Sequence, residues 1–245
     1  MSSPCVLVLA GLDPSGGAGL LADAEAVRAM GARPLCVATA LTVQTSRAAR
    51  RFAAVQPALV VDAATALLEE EDVRAIKIGM VGDRAVAFAL AALLDAHPSL
   101  PRVVDPVLAA SSGAKLFDGS NSTAREAYLR LAAGALLTPN AAEAETLLGI
   151  ERLADPTLAG ALLEEGPSAV LLKGGHLPGD PTDFLFLRAG IERFTAPRIP
   201  ARARGTGCRL ASGVAAGLAL GAPLREAVVS ARSLVRDYLQ AQLPV

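Results

Sequence analysis

Short apolar runs and helix-period stretches alternate along this chain. Cys5–Ala10 is a continuous apolar run of strand length. Ala18–Met30 has helical spacing and stops at Gly31. The same alternation predicts strands over Pro34–Leu41, Arg74–Ile78, Arg102–Asp105, Ala135–Thr138 and Ala169–Lys173. Helices are predicted over Leu59–Glu70, Arg84–Ala96, Ala124–Ala133, Ala141–Leu148 and Thr157–Glu165. Asp183–Arg188 and Ile191–Ala196 read as an antiparallel hairpin turning at Ala189-Gly190. Two helices close the pattern, Gly207–Leu220 and Leu224–Gln240, with Pro223 marking the start of the second. Strands alternating with helices imply right-handed βαβ units and a mainly parallel sheet covered on both faces. With no low-complexity linker and no repeat, residues 1–245 read as one domain.

Composition narrows the function. Apolar residues make up 52% of the chain, enough for a large core, whereas aromatics reach only 3% and Trp is absent, which argues against base-stacking platforms. The net charge is −1 with no basic block, which argues against nucleic-acid and anionic-membrane partners. The first apolar run lacks a charged leader and breaks at Asp13, so it reads as a strand, not a signal peptide. No uncharged apolar stretch reaches spanning length. The expected location is the cytoplasm. Cys5, Cys36 and Cys208 are far apart and lack metal-type spacing; Cys5 and Cys36 are expected to be packed in strands.

Gly205-Thr206-Gly207-Cys208 is the most informative stretch. It follows an Arg-rich segment (Arg198, Arg202, Arg204) and opens a small-residue apolar helix. Glycines at a helix mouth let free N–H groups converge on an anion, and the helix dipole adds positive potential. Cys208, in the first turn, is expected to feel that field as a lowered pKa. A Gly-rich turn beside an inert cysteine explains the same four residues equally well. Other suggestive residues fall at strand ends, where parallel sheets bind ligands. Gly11 to Gly19 form a glycine loop that is neither a P-loop nor a dinucleotide fingerprint. Gln44, placed in the loop after the second strand, offers a donor and an acceptor to a heterocycle edge. Met80 suits a flat ring. Asp105 and Glu143, with Asn140, suit Mg²⁺ held directly or through water, and Lys173 suits a phosphate. Each has a structural alternative as cap, core or solvated residue.

Together the segments AGLDPSGGAGLLAD (Ala10–Asp23), ALTVQ (Ala40–Gln44), IKIGM (Ile76–Met80), DPVLAASSG (Asp105–Gly113), TPNAAEA (Thr138–Ala144), LKGGH (Leu172–His176) and GTGC (Gly205–Cys208) resemble the ribokinase-like superfamily. Within it the chain is most similar to the hydroxymethylpyrimidine/phosphomethylpyrimidine kinases of thiamine biosynthesis, from about Val6 to the last helix. The resemblance implies a three-layer α/β/α sandwich without a separate lid domain, often a homodimer, using ATP and Mg²⁺. It implies that Gln44, Asp23, Met80, Gly11 and Ala18 serve the pyrimidine. It implies that Gly205, Thr206 and Gly207 form an anion hole with Cys208 as base, and that Asp105, Asn140, Glu143 and Lys173 serve metal and ATP phosphates. Three departures stand out: Ser111 where a Lys is common, Arg204 where a His is common, and Arg209 where a small residue or Thr is common. They raise the expectation that Arg204 or Arg209 replaces the missing charge. Pyridoxal kinase, and a ligand-sensing pseudokinase, are the rival readings.

Overall fold

The structure, a computed structural model, describes residues 3–110, 112–175 and 179–243. Ser111 and His176 therefore lie outside the described residues. At the centre is β1 (Cys5–Leu12), whose alternate side chains feed two different cores. Cys5, Leu7 and Leu9 face one core and Val6, Val8 and Ala10 the other, as a strand's period of two requires. From β1 the chain runs through α1 (Gly19–Ala29) to β2 (Arg33–Gln44), which pairs parallel to β1. It turns back through β3 (Ala49–Ala54), then α2 (Pro57–Glu70), to β4 (Val73–Ile78) on the other side of β1. This reversal makes the carboxyl ends of β1 and β4 a topological switch point, where such sheets open a crevice.

The chain continues through β5 (Gly82–Asp83), α3 (Arg84–Asp95), β6 (Arg102–Val104), β7 (Phe117–Asp118), α4 (Asn121–Ala132), β8 (Leu136–Leu137) and α5 (Ala141–Leu148). A 3-10 helix over Pro156–Glu165 leads to β9 (Ala169–Leu172), the hairpin β10 (Thr182–Leu187) and β11 (Gly190–Thr195), then α6 (Thr206–Ala219) and α7 (Leu224–Gln240). The sheet order is β11-β10-β9-β8-β6-β4-β1-β2-β3. It is parallel from β9 to β2, with antiparallel strands only at its two edges. One face is covered by α2, α3, α4, α5 and the 3-10 helix, the other by α1, α6 and α7. The expected three-layer α/β/α architecture is the one observed.

The differences are local and have physical causes. β2 runs three residues beyond the expected Leu41, so Gln44 ends a strand rather than sitting in a loop. The extension is held by β3, which pairs Thr42 with Phe52 and Val43 with Arg51. β3 (ARRFAA) is an edge strand with two adjacent arginines and no apolar alternation, so periodicity does not reveal it. The tiny β5–β7 ladder is likewise too short for a pattern. The stretch expected as an α-helix over Thr157–Glu165 is a 3-10 helix, and its Gly160 packs closely on Phe186: a Cβ there would lie 2.9 Å from the ring. The hairpin turns at Arg188-Ala189, because Leu187 pairs directly with Gly190. Cys36 sits in β2 as expected, but exposed rather than packed.

Candidate active site

A cavity of about 670 Å³ opens at the carboxyl ends of the parallel strands, within the roughly 300–1,000 Å³ usual for small-molecule sites. Gly11, Ala18, Gln44, Met80, Asp105, Asn140, Glu143, Lys173 and Gly205 to Cys208 all line it. Of the residues the sequence nominates, Asp23 alone lies elsewhere. It is fully buried behind the wall, where both its oxygens stand 2.8 Å from Lys77 Nζ and Ser212 Oγ donates to it at 2.8 Å. Asp23 therefore backs the cavity through Lys77 and Ser212 and is not among the residues that line it. The signal for its partner was in the chain: Lys77 is one of only three lysines, placed inside an apolar strand.

One half of the cavity is built on the loop after β1. Gly11 admits Met80, whose sulfur would stand 2.6 Å from a Cβ at that position. Asp13, only 3% exposed, organises the loop. Its carboxylate accepts from Ser15 N–H (2.9 Å), Ser15 Oγ (2.7 Å), Ala18 N–H (3.1 Å), Gln44 Nε2 (3.2 Å) and Arg204 Nη2 (2.8 Å). A buried carboxylate is tolerated only with such donors. In the sequence Asp13 registers only as the break in the first apolar run. The Asp-Pro-Ser-Gly order is nonetheless an Asx-turn signature that could have singled it out. Thr42 Oγ1 donates to Leu12 O at 2.9 Å, tying the ends of β2 and β1 together beside Gln44.

The other half centres on the mouth of α6. Gly205 is its N-cap at φ 69°, a left-handed conformation suited to glycine. A side chain there would also strike Gly17 O at 2.3 Å. Facing this mouth is Lys173, whose Nζ would stand 3.2 Å from a Cβ on Gly207. Lys173 Nζ lies 2.5 Å from Asp105 Oδ1 and 3.4 Å from Glu143 Oε2. Asp105 directly follows β6. Glu143 is fixed by the capping box of α5, in which Asn140 Oδ1 accepts from Glu143 N–H at 3.0 Å and Glu143 Oε2 accepts from Asn140 N–H at 2.8 Å. The helix-capping reading of Glu143 holds, and the same residue also lines the cavity. Pro197, Arg202, Arg232 and Arg236 also line the cavity; α7 gave no local signal for the last two, which only the fold brings there.

Electrostatics departs from expectation at Cys208. Burial pushes its thiol up to about 12, and the Asp23 charge adds to this; Lys77 opposes it, and Asp105 raises it further. Burial thus outweighs the lowering expected of the helix mouth and favours the thiol near neutral pH. Burial raises Glu143 to about 7 despite Lys173, with Asp105 adding to the rise. Burial works against the Lys173 ammonium, but Asp105 and Glu143 together hold its pKa above the ordinary lysine value. Lys77 behaves alike: burial is outweighed by Asp23, then Cys208 and Asp105.

The two arginines expected to stand in for the missing lysine are both engaged elsewhere. Arg209 is buried; it pairs with Glu25 at 2.6 Å and lies 3.9 Å from the centre of the Tyr238 ring. Arg204 lines the cavity, but its guanidinium is held by Asp13 and Ser15 of the loop after β1 and by Thr45 O.

A model of the phosphomethylpyrimidine kinase family matches residues 13–245. A hydroxymethylpyrimidine/phosphomethylpyrimidine kinase of Rhizobium meliloti is 38% identical over 242 residues, covering 96% of this chain and 90% of that protein. A bifunctional thiamine biosynthesis protein of Geobacter sulfurreducens is 39% identical over 98% of this chain, which spans 50% of that longer protein. Among solved structures, the pyridoxal kinase of Staphylococcus aureus in complex with AMP-PCP and pyridoxal superimposes with a TM-score of 0.85 at 25% identity, over 98% of this chain and 88% of that one. No helix among the described residues is long and apolar enough to cross a membrane. By the span of the family match and the likeness of these relatives, the chain belongs to the phosphomethylpyrimidine kinase family.

Proposed function

We propose that this protein transfers the γ-phosphoryl group of ATP to the hydroxymethyl group of 4-amino-5-hydroxymethyl-2-methylpyrimidine, and to the monophosphate formed, in thiamine biosynthesis. The observation that carries this reading is one shared cavity, in which the Gly205–Cys208 mouth and Lys173 face the pocket of Gln44 and Met80. The pyrimidine packs near Met80, with Gln44 on its ring edge. Its hydroxymethyl group points at Cys208. As a thiol, Cys208 orients the hydroxyl rather than removing its proton outright; the proton passes to an oxygen of the transferring phosphoryl group as the new O–P bond forms and the bond to ADP breaks. A loose phosphoryl-transfer transition state asks for positioning more than for a strong base. The Gly205–Cys208 amides and Lys173 hold the charge that spreads over the transferring group.

Asp105 and Glu143 suit Mg²⁺. The two carboxylates converge on one ammonium, leaving negative charge at the site. No group of three His, Cys, Asp or Glu residues among the described ones forms a metal cage, and Mg²⁺ bound with nucleotide phosphates needs none. Asp105 and Glu143 would hold the ion with phosphate and water oxygens, and it would neutralise phosphate charge. We further read the chain as one domain, acting in the cytoplasm as a homodimer; size-exclusion chromatography with light scattering tests the last point.

The similarity to a pyridoxal kinase supports a second acceptor, since pyridoxal also carries a hydroxymethyl group. The relatives' names and Gln44 favour the pyrimidine. ATP turnover on each purified acceptor decides between them.

A further inference from the structure

Gln44 ends β2 with its side chain on the cavity wall. Its Nε2 lies 3.2 Å from Asp13 Oδ2. That same oxygen takes Arg204 Nη2 at 2.8 Å, in an ion pair that is 23% exposed at the arginine and 3% at the aspartate. A carboxylate in an ion pair only accepts, so the Gln44 amide must turn its NH₂ toward Asp13. A planar amide then carries its carbonyl oxygen away from Asp13. Gln44 Oε1 accepts no hydrogen bond from the described residues.

Arg204 is itself held. Its Nη1 donates to Ser15 Oγ and to Thr45 O, both at 3.0 Å, and its own carbonyl accepts from Tyr238 Oη at 3.2 Å. It immediately precedes Gly205, the cap of α6. One side chain therefore straps the phosphate-binding mouth to the loop and strand end that form the acceptor pocket.

We propose that Asp13 and Arg204 are positioning residues that fix the Gln44 amide with its oxygen toward the acceptor, selecting a ring whose edge presents an N–H donor. This rests on the pyrimidine kinase reading. An exocyclic ring amine meets the Gln44 oxygen. A ring with a carbonyl in that place meets an acceptor that cannot turn, because turning would set the Gln44 oxygen against the Asp13 carboxylate. Buried mismatches of this kind discriminate strongly.

The test compares kcat/KM for the 4-amino pyrimidine and its 4-oxo analogue in wild type, Asp13→Asn, Arg204→Ala and Arg204→Lys. The amide introduced by Asp13→Asn could donate as well as accept, freeing the Gln44 amide to flip. Wild type should prefer the amine, and Asp13→Asn and Arg204→Ala should lose that preference by about tenfold or more, mainly through KM for the acceptor. KM for ATP should hold, and Arg204→Lys should retain part of the preference. Thermal melting checks folding, and the Arg204 pair carries the same comparison if Asp13→Asn does not fold. Equal losses on both acceptors, or an unchanged preference, would overturn the positioning role while leaving the kinase reading intact. A wild-type enzyme without activity on the amino ring would overturn both.

Discussion

The Lys173 ammonium stands 2.5 Å from the Asp105 carboxylate, bridging the ends of β9 and β6 across the intervening β8. Glu143 approaches the same ammonium at 3.4 Å. One cation thus restrains two carboxylates beside the glycine mouth of α6. Arriving phosphates would meet a preorganised cation, with Asp105 and Glu143 held together beside it.

Removing that cation should be felt in chemistry. Lys173→Met should lower kcat by about 10²–10³-fold, the usual scale for one charge-stabilising donor at a transferring group. KM for the acceptor should change less, because Gln44 and Met80 are untouched. Single-turnover rates with saturating ATP and acceptor measure this. A variant turning over at the wild-type rate would place Lys173 outside the reaction.

Cys208 offers a chemical readout of its own. With a pKa pushed up by burial to about 12, its thiolate fraction should rise roughly tenfold for each pH unit well past neutrality. Iodoacetamide labelling of the Cys208 peptide, in a Cys36→Ala background that removes the exposed thiol, should follow that slope to about pH 10 without a plateau. A rate that levels off near neutrality would mean the helix mouth does lower the pKa and Cys208 acts as a preformed thiolate.

Behind the site, Lys77 and Asp23 form an ion pair with both side chains fully buried. Breaking it leaves an uncompensated buried charge, so Lys77→Met should cost about 3–5 kcal/mol of stability. The double variant Lys77→Met/Asp23→Leu should recover much of that, since neither charge then remains. Urea denaturation midpoints measure both. An unchanged midpoint in Lys77→Met would show that the pair carries no structural role.

What can be read from the chain follows a physical rule. The buried parallel strands β1 and β9 are continuous apolar runs, and β4 is apolar apart from Arg74 and Lys77, so they and the layered fold are legible. So are residues held by their own turn or motif, such as Asn140 with Glu143, or Gly205 to Cys208. β3 is hidden because an edge strand such as Ala49–Ala54 needs no apolar alternation. Asp13, Lys77 and Arg204 are obscured as a set because the contacts that join Asp13 to Gln44, Lys77 to Asp23 and Arg204 to Asp13 span 31, 54 and 191 residues. The high pKa of Cys208 is hidden for a related reason: helix position is local, whereas burial and the Asp23 and Asp105 charges come from the assembled fold.

The most direct test of the central claim is the initial rate of ATP-dependent phosphorylation measured side by side on 4-amino-5-hydroxymethyl-2-methylpyrimidine, its monophosphate and pyridoxal. The account predicts turnover of the pyrimidine and its monophosphate, with kcat/KM for the pyrimidine exceeding that for pyridoxal by about tenfold or more. Equal or faster turnover of pyridoxal, or no phosphoryl transfer to the pyrimidine at all, would contradict it.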